Sequence, residues 1–183
     1  MHRIMLVDDE ENILNALRRV LSGRAHSIET QQLYTVETFI SPKIALARAE
    51  EAAFDLVISD YRMPEMGGVA FLKALRKVQP NAARMILSGY ADLAGLMSAI
   101  NEAEIVRFLS KPWNDDDLKL AISQALKFRD ILLENQRLAD QVRVQQGLLS
   151  KQEVALKRLA AESPGIAKVN WGPDGSVIID DMP

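Results

Sequence analysis

A chain of 183 residues is long enough for one domain of ordinary size with something left over. Its 48% hydrophobic content suits a packed core, and a formal net charge of -3 offers no basic footprint for nucleic acid. With no cysteine there is no disulfide framework and no thiolate metal site, and no apolar run approaches the roughly 20 residues needed to span a bilayer. A strand pattern that starts with the chain leaves no room for a signal peptide, so the chain reads as cytoplasmic.

The run Ile4, Met5, Leu6, Val7 predicts a first strand closed by Asp8 and Asp9. Ile13, Leu14, Leu17, Val20 and Leu21 then recur at helical spacing until Gly23. Residues 24–33 are polar and weakly patterned, which predicts a loop, and the alternating residues 34–39 predict a second strand. Ser41 followed by Pro42 reads as an N-cap and first helical residue, opening a helix to about residue 52.

Phe54 to Gly68 is the most informative stretch. A short run rich in branched residues, ending in Asp60 and then Pro64, Gly67 and Gly68, reads as a strand buried on both faces. A helix follows over 69–78, then a fourth strand over 84–87 ending at Ser88 and Gly89. Next come a helix from 92 to about 103 and a fifth strand over 105–109, followed by Ser110, Lys111 and Pro112. Asn114 caps the last helix, with Asp115, Asp116 and Asp117 suited to its positive end. Five strands alternating with five helices predict an α/β fold, a doubly wound, flavodoxin-like parallel sheet with right-handed crossovers.

In such a sheet, ligands bind beyond the carboxyl ends of the strands. Asp8, Asp9 and Asp60 are expected to converge there with Lys111. Three carboxylates without Cys or His nearby suit a hard divalent cation, magnesium before others. A carboxylate beside it can act as a nucleophile toward phosphorus, with Lys111 offsetting charge on the phosphoryl group and Ser88 donating a hydroxyl.

The acidic pair Asp8-Asp9, Asp60 in Asp-x-x-Met-Pro-x-Met-x-Gly, Ser88-Gly89, and Phe108 three positions before Lys111-Pro112 form a five-part pattern. On these residues the chain resembles the receiver domain of two-component response regulators over about residues 1–128. The resemblance implies phosphorylation of Asp60 by a sensor histidine kinase or phosphotransfer protein. It also implies Mg²⁺ held by Asp8, Asp9, Asp60 and the backbone carbonyl of Arg62. Ser88 is expected to move onto the phosphoryl group while Phe108 rotates inward, and the Lys111-Pro112 bond to be cis. Arg62 and Tyr90 would flank the phosphoryl group and hinder an attacking water, slowing its loss. Gly67 departs from the family's usual Asp or Asn at that position, which should loosen the loop.

Beyond the receiver, assigned to residues 1–127, positions 128, 131, 135, 138, 142, 145, 149, 152, 156 and 159 read Phe128, Ile131, Asn135, Leu138, Val142, Gln145, Leu149, Gln152, Leu156 and Leu159, the two glutamines weakening the seam. Their three-four spacing predicts a coiled-coil helix over 128–163, continuous with the last receiver helix and pairing as a parallel homodimer. Asn135 would fix the register, and Gly147 is the weak point of the helical pattern. Residues 164–183 read as a short β-hairpin tail.

The resulting expectation is a signalling switch, not an enzyme. It works through dimerisation or an unknown protein target, with no direct contact to nucleic acid or membrane. The alternatives are a phosphate-sink or shuttle receiver, the N-terminal part of a longer regulator, or, least favoured, a magnesium-dependent phosphatase. The last would want a second acid where Arg62 stands.

Overall fold

The computed structural model describes residues 1–22, 34–89, 103–145, 151–162, 170–171 and 177–178. Its elements are β1 (His2–Val7), α1 (Glu11–Ser22), β2 (Tyr34–Phe39), α2 (Pro42–Glu51), β3 (Leu56–Asp60), α3 (Gly68–Val78), β4 (Ala83–Gly89), β5 (Arg107–Lys111) and α4 (Asp115–Gln145). They are followed by α5 (Lys151–Glu162), β6 (Asn170–Trp171) and β7 (Val177–Ile178). Strands β1 to β5 form one parallel sheet in the order β2-β1-β3-β4-β5. β6 and β7 pair antiparallel. The helix expected over 92–103 and the loop expected over 24–33 lie outside the described residues, apart from Ala103.

Apolar side chains of the inner strands alternate between two cores because successive strand residues point to opposite faces. Met5, Val7, Val57 and Ile86 pack on the α2–α3 side with Phe71, Leu72 and Leu75. Ile4, Leu6, Ile58, Met85 and Leu87 pack on the α1–α4 side with Leu14, Leu17, Leu118 and Ile122. Both faces of β3 are covered, so all five of its residues are buried and its sequence is apolar up to Ser59.

Three polar side chains brace this frame by taking up backbone groups. Buried Gln79 accepts from Phe54 N (2.8 Å) and donates to the carbonyls of Ala49 (2.6 Å) and Ala52 (2.7 Å), closing the turn between α2 and β3. Arg84 donates to the carbonyls of Ala82 (2.7 Å) and Ala103 (2.9 Å), and its own carbonyl accepts from Val106 N (2.8 Å). Arg129 on α4 pairs with Asp55 (2.7 Å) and donates to the Asn81 carbonyl (3.0 Å), pinning the helix to the amino-terminal edge of the sheet.

Several expectations move. β5 covers 107–111, not 105–109, and β4 runs through Ser88 and Gly89. Glu104 adopts φ 48°, which turns Ile105 into the core before the ladder begins. The pairs Ser88 with Ser110 and Gly89 with Lys111 carry that ladder to the site. Ser41 occupies the N-cap position of α2 without a side-chain capping bond; its hydroxyl lies 3.1 Å from Glu65 Oε2 instead. Asn114 does cap α4, accepting from Asp116 N (2.9 Å) and Asp117 N (3.3 Å).

The largest difference concerns continuity after the receiver. Lys157 Nζ on α5 lies 3.9 Å from Asp140 Oδ1 on α4. In an unbroken helix residues 140 and 157 would stand about 25 Å apart. α5 therefore returns alongside α4, and the single helix expected over 128–163 is replaced by two.

Candidate functional site

Parallel pairing brings four strand ends to one edge. Asp8 follows β1, Asp60 ends β3, Ser88 is next to last in β4, and Lys111 ends β5. Lys111 Nζ lies 2.7 Å from Asp8 Oδ2 and 2.6 Å from Asp60 Oδ1, so one ammonium bridges two carboxylates. The remaining carboxylate oxygens are aimed by the backbone. Arg62 N donates to Asp60 Oδ2 (2.9 Å) and Glu10 N donates to Asp8 Oδ1 (3.0 Å). Asp8 is 1% exposed and Asp60 7%, so their charges are held mainly by these partners.

Burial pushes the Asp8 carboxyl above its ordinary range, and hydrogen bonds from Lys111 and Glu10 N offset this only in part. Burial also disfavours the Lys111 charge, but hydrogen bonds to Asp60 and Asp8 outweigh it and hold the ammonium above its usual value. The site is poised to receive positive charge.

Asp9 is exposed, and among the described residues no three Asp, Glu, His or Cys side chains gather into one cluster. The carboxylates brought together are two, Asp8 and Asp60. Ser88 is buried beside them, with its hydroxyl 3.3 Å from the Gly89 carbonyl. Phe108 is half-buried against the α2–α3 core, paired in register with Ile86. The Lys111-Pro112 bond is cis. Tyr90 and Leu149 lie outside the described residues.

The donor set fits magnesium. Two hard carboxylates near enough to share one ammonium can share a divalent ion, with the Arg62 carbonyl and Asp9 close in sequence to the same strand ends.

One group near the site is not readable from spacing. Gly68, at the start of α3, lies so close to the end of β3 that an added Cβ would sit 1.9 Å from the Asp60 carbonyl oxygen. A Gly after a Pro-containing turn signals a bend, but not which atom crowds it.

The doubly wound parallel sheet thus carries a Lys-bridged carboxylate pair at its carboxyl edge, where open α/β sheets place their ligands. The chain belongs to the response regulator receiver domain family, whose model matches residues 4–123. Members act as phosphoacceptor switches, work with histidine kinases or phosphotransfer proteins, and bind Mg²⁺ as a family property. The hydrogenase transcriptional regulatory protein HoxA of Bradyrhizobium diazoefficiens is 31% identical over 180 residues, covering 98% of this chain and 34% of that protein. The signal receiver domain of an HD domain-containing protein from Pseudomonas fluorescens Pf-5 is 37% identical with a TM-score of 0.63, over 70% of this chain and 97% of that one. A CheY-like receiver domain protein from Methanospirillum hungatei JF-1 is 27% identical with a TM-score of 0.62, over 71% of this chain and 97% of that one. The chain spans about a third of the length of the curated HoxA relatives it matches. Among the described residues no helix is long and apolar enough to cross a membrane.

Proposed function

We propose that Asp60 is the phosphoacceptor of a two-component switch with no other enzymatic activity, and that α4 carries the switched state outward. The observation that supports this is the ammonium of Lys111 shared by Asp60 and Asp8 at a largely buried strand end. An Asp60 carboxylate oxygen attacks the phosphorus of a phosphohistidine. The new O–P bond forms as the P–N bond breaks, and the imidazole leaves with a proton. Mg²⁺, held by Asp8, Asp9, Asp60 and the Arg62 carbonyl, would neutralise charge on the phosphoryl oxygens. Phosphorylation adds roughly one and a half to two negative charges at one point. A phosphoryl oxygen would give Lys111, already paired with Asp8 and Asp60, and Ser88 an additional partner in that state, so its population rises, and Phe108 fills the space Ser88 leaves.

Output runs through self-association of α4. Phe128, Ile131, Leu138 and Val142 are each about half exposed along one stripe, with Asn135 between them. Such a stripe stays in water unless a second copy covers it. Measuring mass in solution with and without a beryllofluoride phosphoryl mimic tests the whole reading. Wild type shifts its monomer–dimer balance, whereas Lys111→Ala binds the mimic without a shift. An equal shift in both overturns Lys111 as the coupling group.

Arg62 follows Asp60 by two residues, where its bulk hinders water. Arg62→Ala is expected to shorten the phosphoryl half-life severalfold, read from the decay of labelled protein; an unchanged half-life removes Arg62 from that role. Tyr90→Ala is the matching variant for the second residue expected to hinder water.

A second reading is favoured by the extent of the HoxA match, which runs through 98% of this chain yet 34% of the relative. In it, these residues are the receiver and connecting helices of a longer transcriptional regulator. Reading the gene beyond the codon for Pro183 decides between them: a stop codon supports a free-standing switch, and an open frame supports the longer regulator.

A further inference from the structure

The folded-back α5 sits on a definite side of α4. An antiparallel register that puts Asp140 beside Lys157 brings Val144 within one residue of Val154. Both valines are partly buried, whereas Val142, Arg143 and Gln145 are exposed. At about 100° per residue, Asp140 and Val144 lie on the far side of α4 from Leu138 and Val142. α5 thus covers the back of α4 and leaves its apolar stripe open.

The fold-back also shortens that stripe. From Phe128 to Val142 it spans about two heptads, fewer than the three to four that sustain a coiled coil. Leu156 and Leu159 would extend it in a straight helix, but here they are 58% and 48% exposed on the returning arm. The ion pair that ties the arm to α4 is long, at 3.9 Å, with its lysine 58% exposed, and such pairs contribute little.

We propose that residues 151–162 are a folding arm that sets the length of the self-association seam. Folded back, the arm limits two copies to the short stripe on α4. Swung out in line with α4, it lets a second copy pair along the full repeat to Leu159. This rests on the stripe being the self-association surface proposed above.

The chain has no cysteine, so spin labels can be placed cleanly by Gln136→Cys with Ala161→Cys in the full chain. A folded arm keeps the labels within about 20 Å, since packed helices lie 8–10 Å apart. A straight helix separates them by about 37 Å. The short distance is expected in dilute samples, with the long distance growing as dimer forms by sedimentation equilibrium. Lys157→Asp, which sets like charges against Asp140, is expected to tighten the dimer about threefold. Adding Asp140→Lys should restore the wild-type constant. Dimers that keep only the short distance overturn the arm while sparing the dimer. A long distance at every concentration overturns the fold-back itself. A chain that stays monomeric throughout removes the seam, and the arm with it.

Discussion

Asp60→Asn will leave the chain folded and unable to take up phosphorus from a small phosphodonor or a phosphorylated kinase. The carboxamide lacks the anionic oxygen that must attack, and it also disturbs the local hydrogen bonds. Asp60 accepts from Lys111 through one oxygen and from Arg62 N through the other. Asn can keep one of these acceptors, but its amide nitrogen then faces a donor. The fold survives because Lys111 retains Asp8 as a partner at 2.7 Å. Asp55→Asn is the control. That residue lies at the opposite end of β3, where it accepts from Arg3 N (2.6 Å) and pairs with Arg129, and its loss should leave labelling intact. Undiminished labelling of Asp60→Asn would mean that another residue is the acceptor.

Gly68→Ala has the second large effect, on stability and site together. The added methyl would meet the Asp60 carbonyl oxygen at 1.9 Å and its carbon at 2.9 Å, both backbone atoms that cannot swing aside. Either α3 withdraws from β3, weakening the Gly68 N–H bond to the Tyr61 carbonyl (2.9 Å), or the end of β3 shifts and takes Asp60 with it. Overpacking costs about 1–3 kcal/mol, and an unyielding backbone contact puts this case near 3 kcal/mol. Thermal melting should therefore fall by about 10 °C, with slower phosphorylation of the folded fraction. Gly67→Ala is the contrast. Its Cβ would lie 3.6 Å from the Tyr61 carbonyl oxygen, ordinary contact, so a loss of stability like that of Gly68→Ala would refute the packing argument.

Those residues whose chemistry is local were legible without coordinates. Asp8, Asp60 and Lys111 stand at strand ends because apolar runs stop there, and parallel pairing carries those ends to one edge. Asn114 caps the helix that its position announces. What escaped depends on partners distant in the chain. Gln79 looks like an ordinary surface residue after a helix, yet it binds backbone groups of residues 49, 52 and 54. β5 starts later than its apolar pattern predicts because Ile105 is apolar for the core, not for the ladder. The repeat from Phe128 onward specifies helical spacing and an apolar stripe, but spacing cannot say whether the chain runs on or doubles back. Gly147 marked the weak point without revealing the direction beyond it.

The attachment of α4 by Arg129 has a mechanical consequence. Upstream of that residue the helix is bound to the domain, while the 16 residues that follow Arg129, through Gln145, extend about 24 Å past the clamp. A tilt of only about 10° at this fulcrum displaces the distal tip by about 4 Å, a movement comparable to the width of a side chain. Rearrangements too small to alter the domain's outline can thus be geared up into a change that a docked neighbour feels.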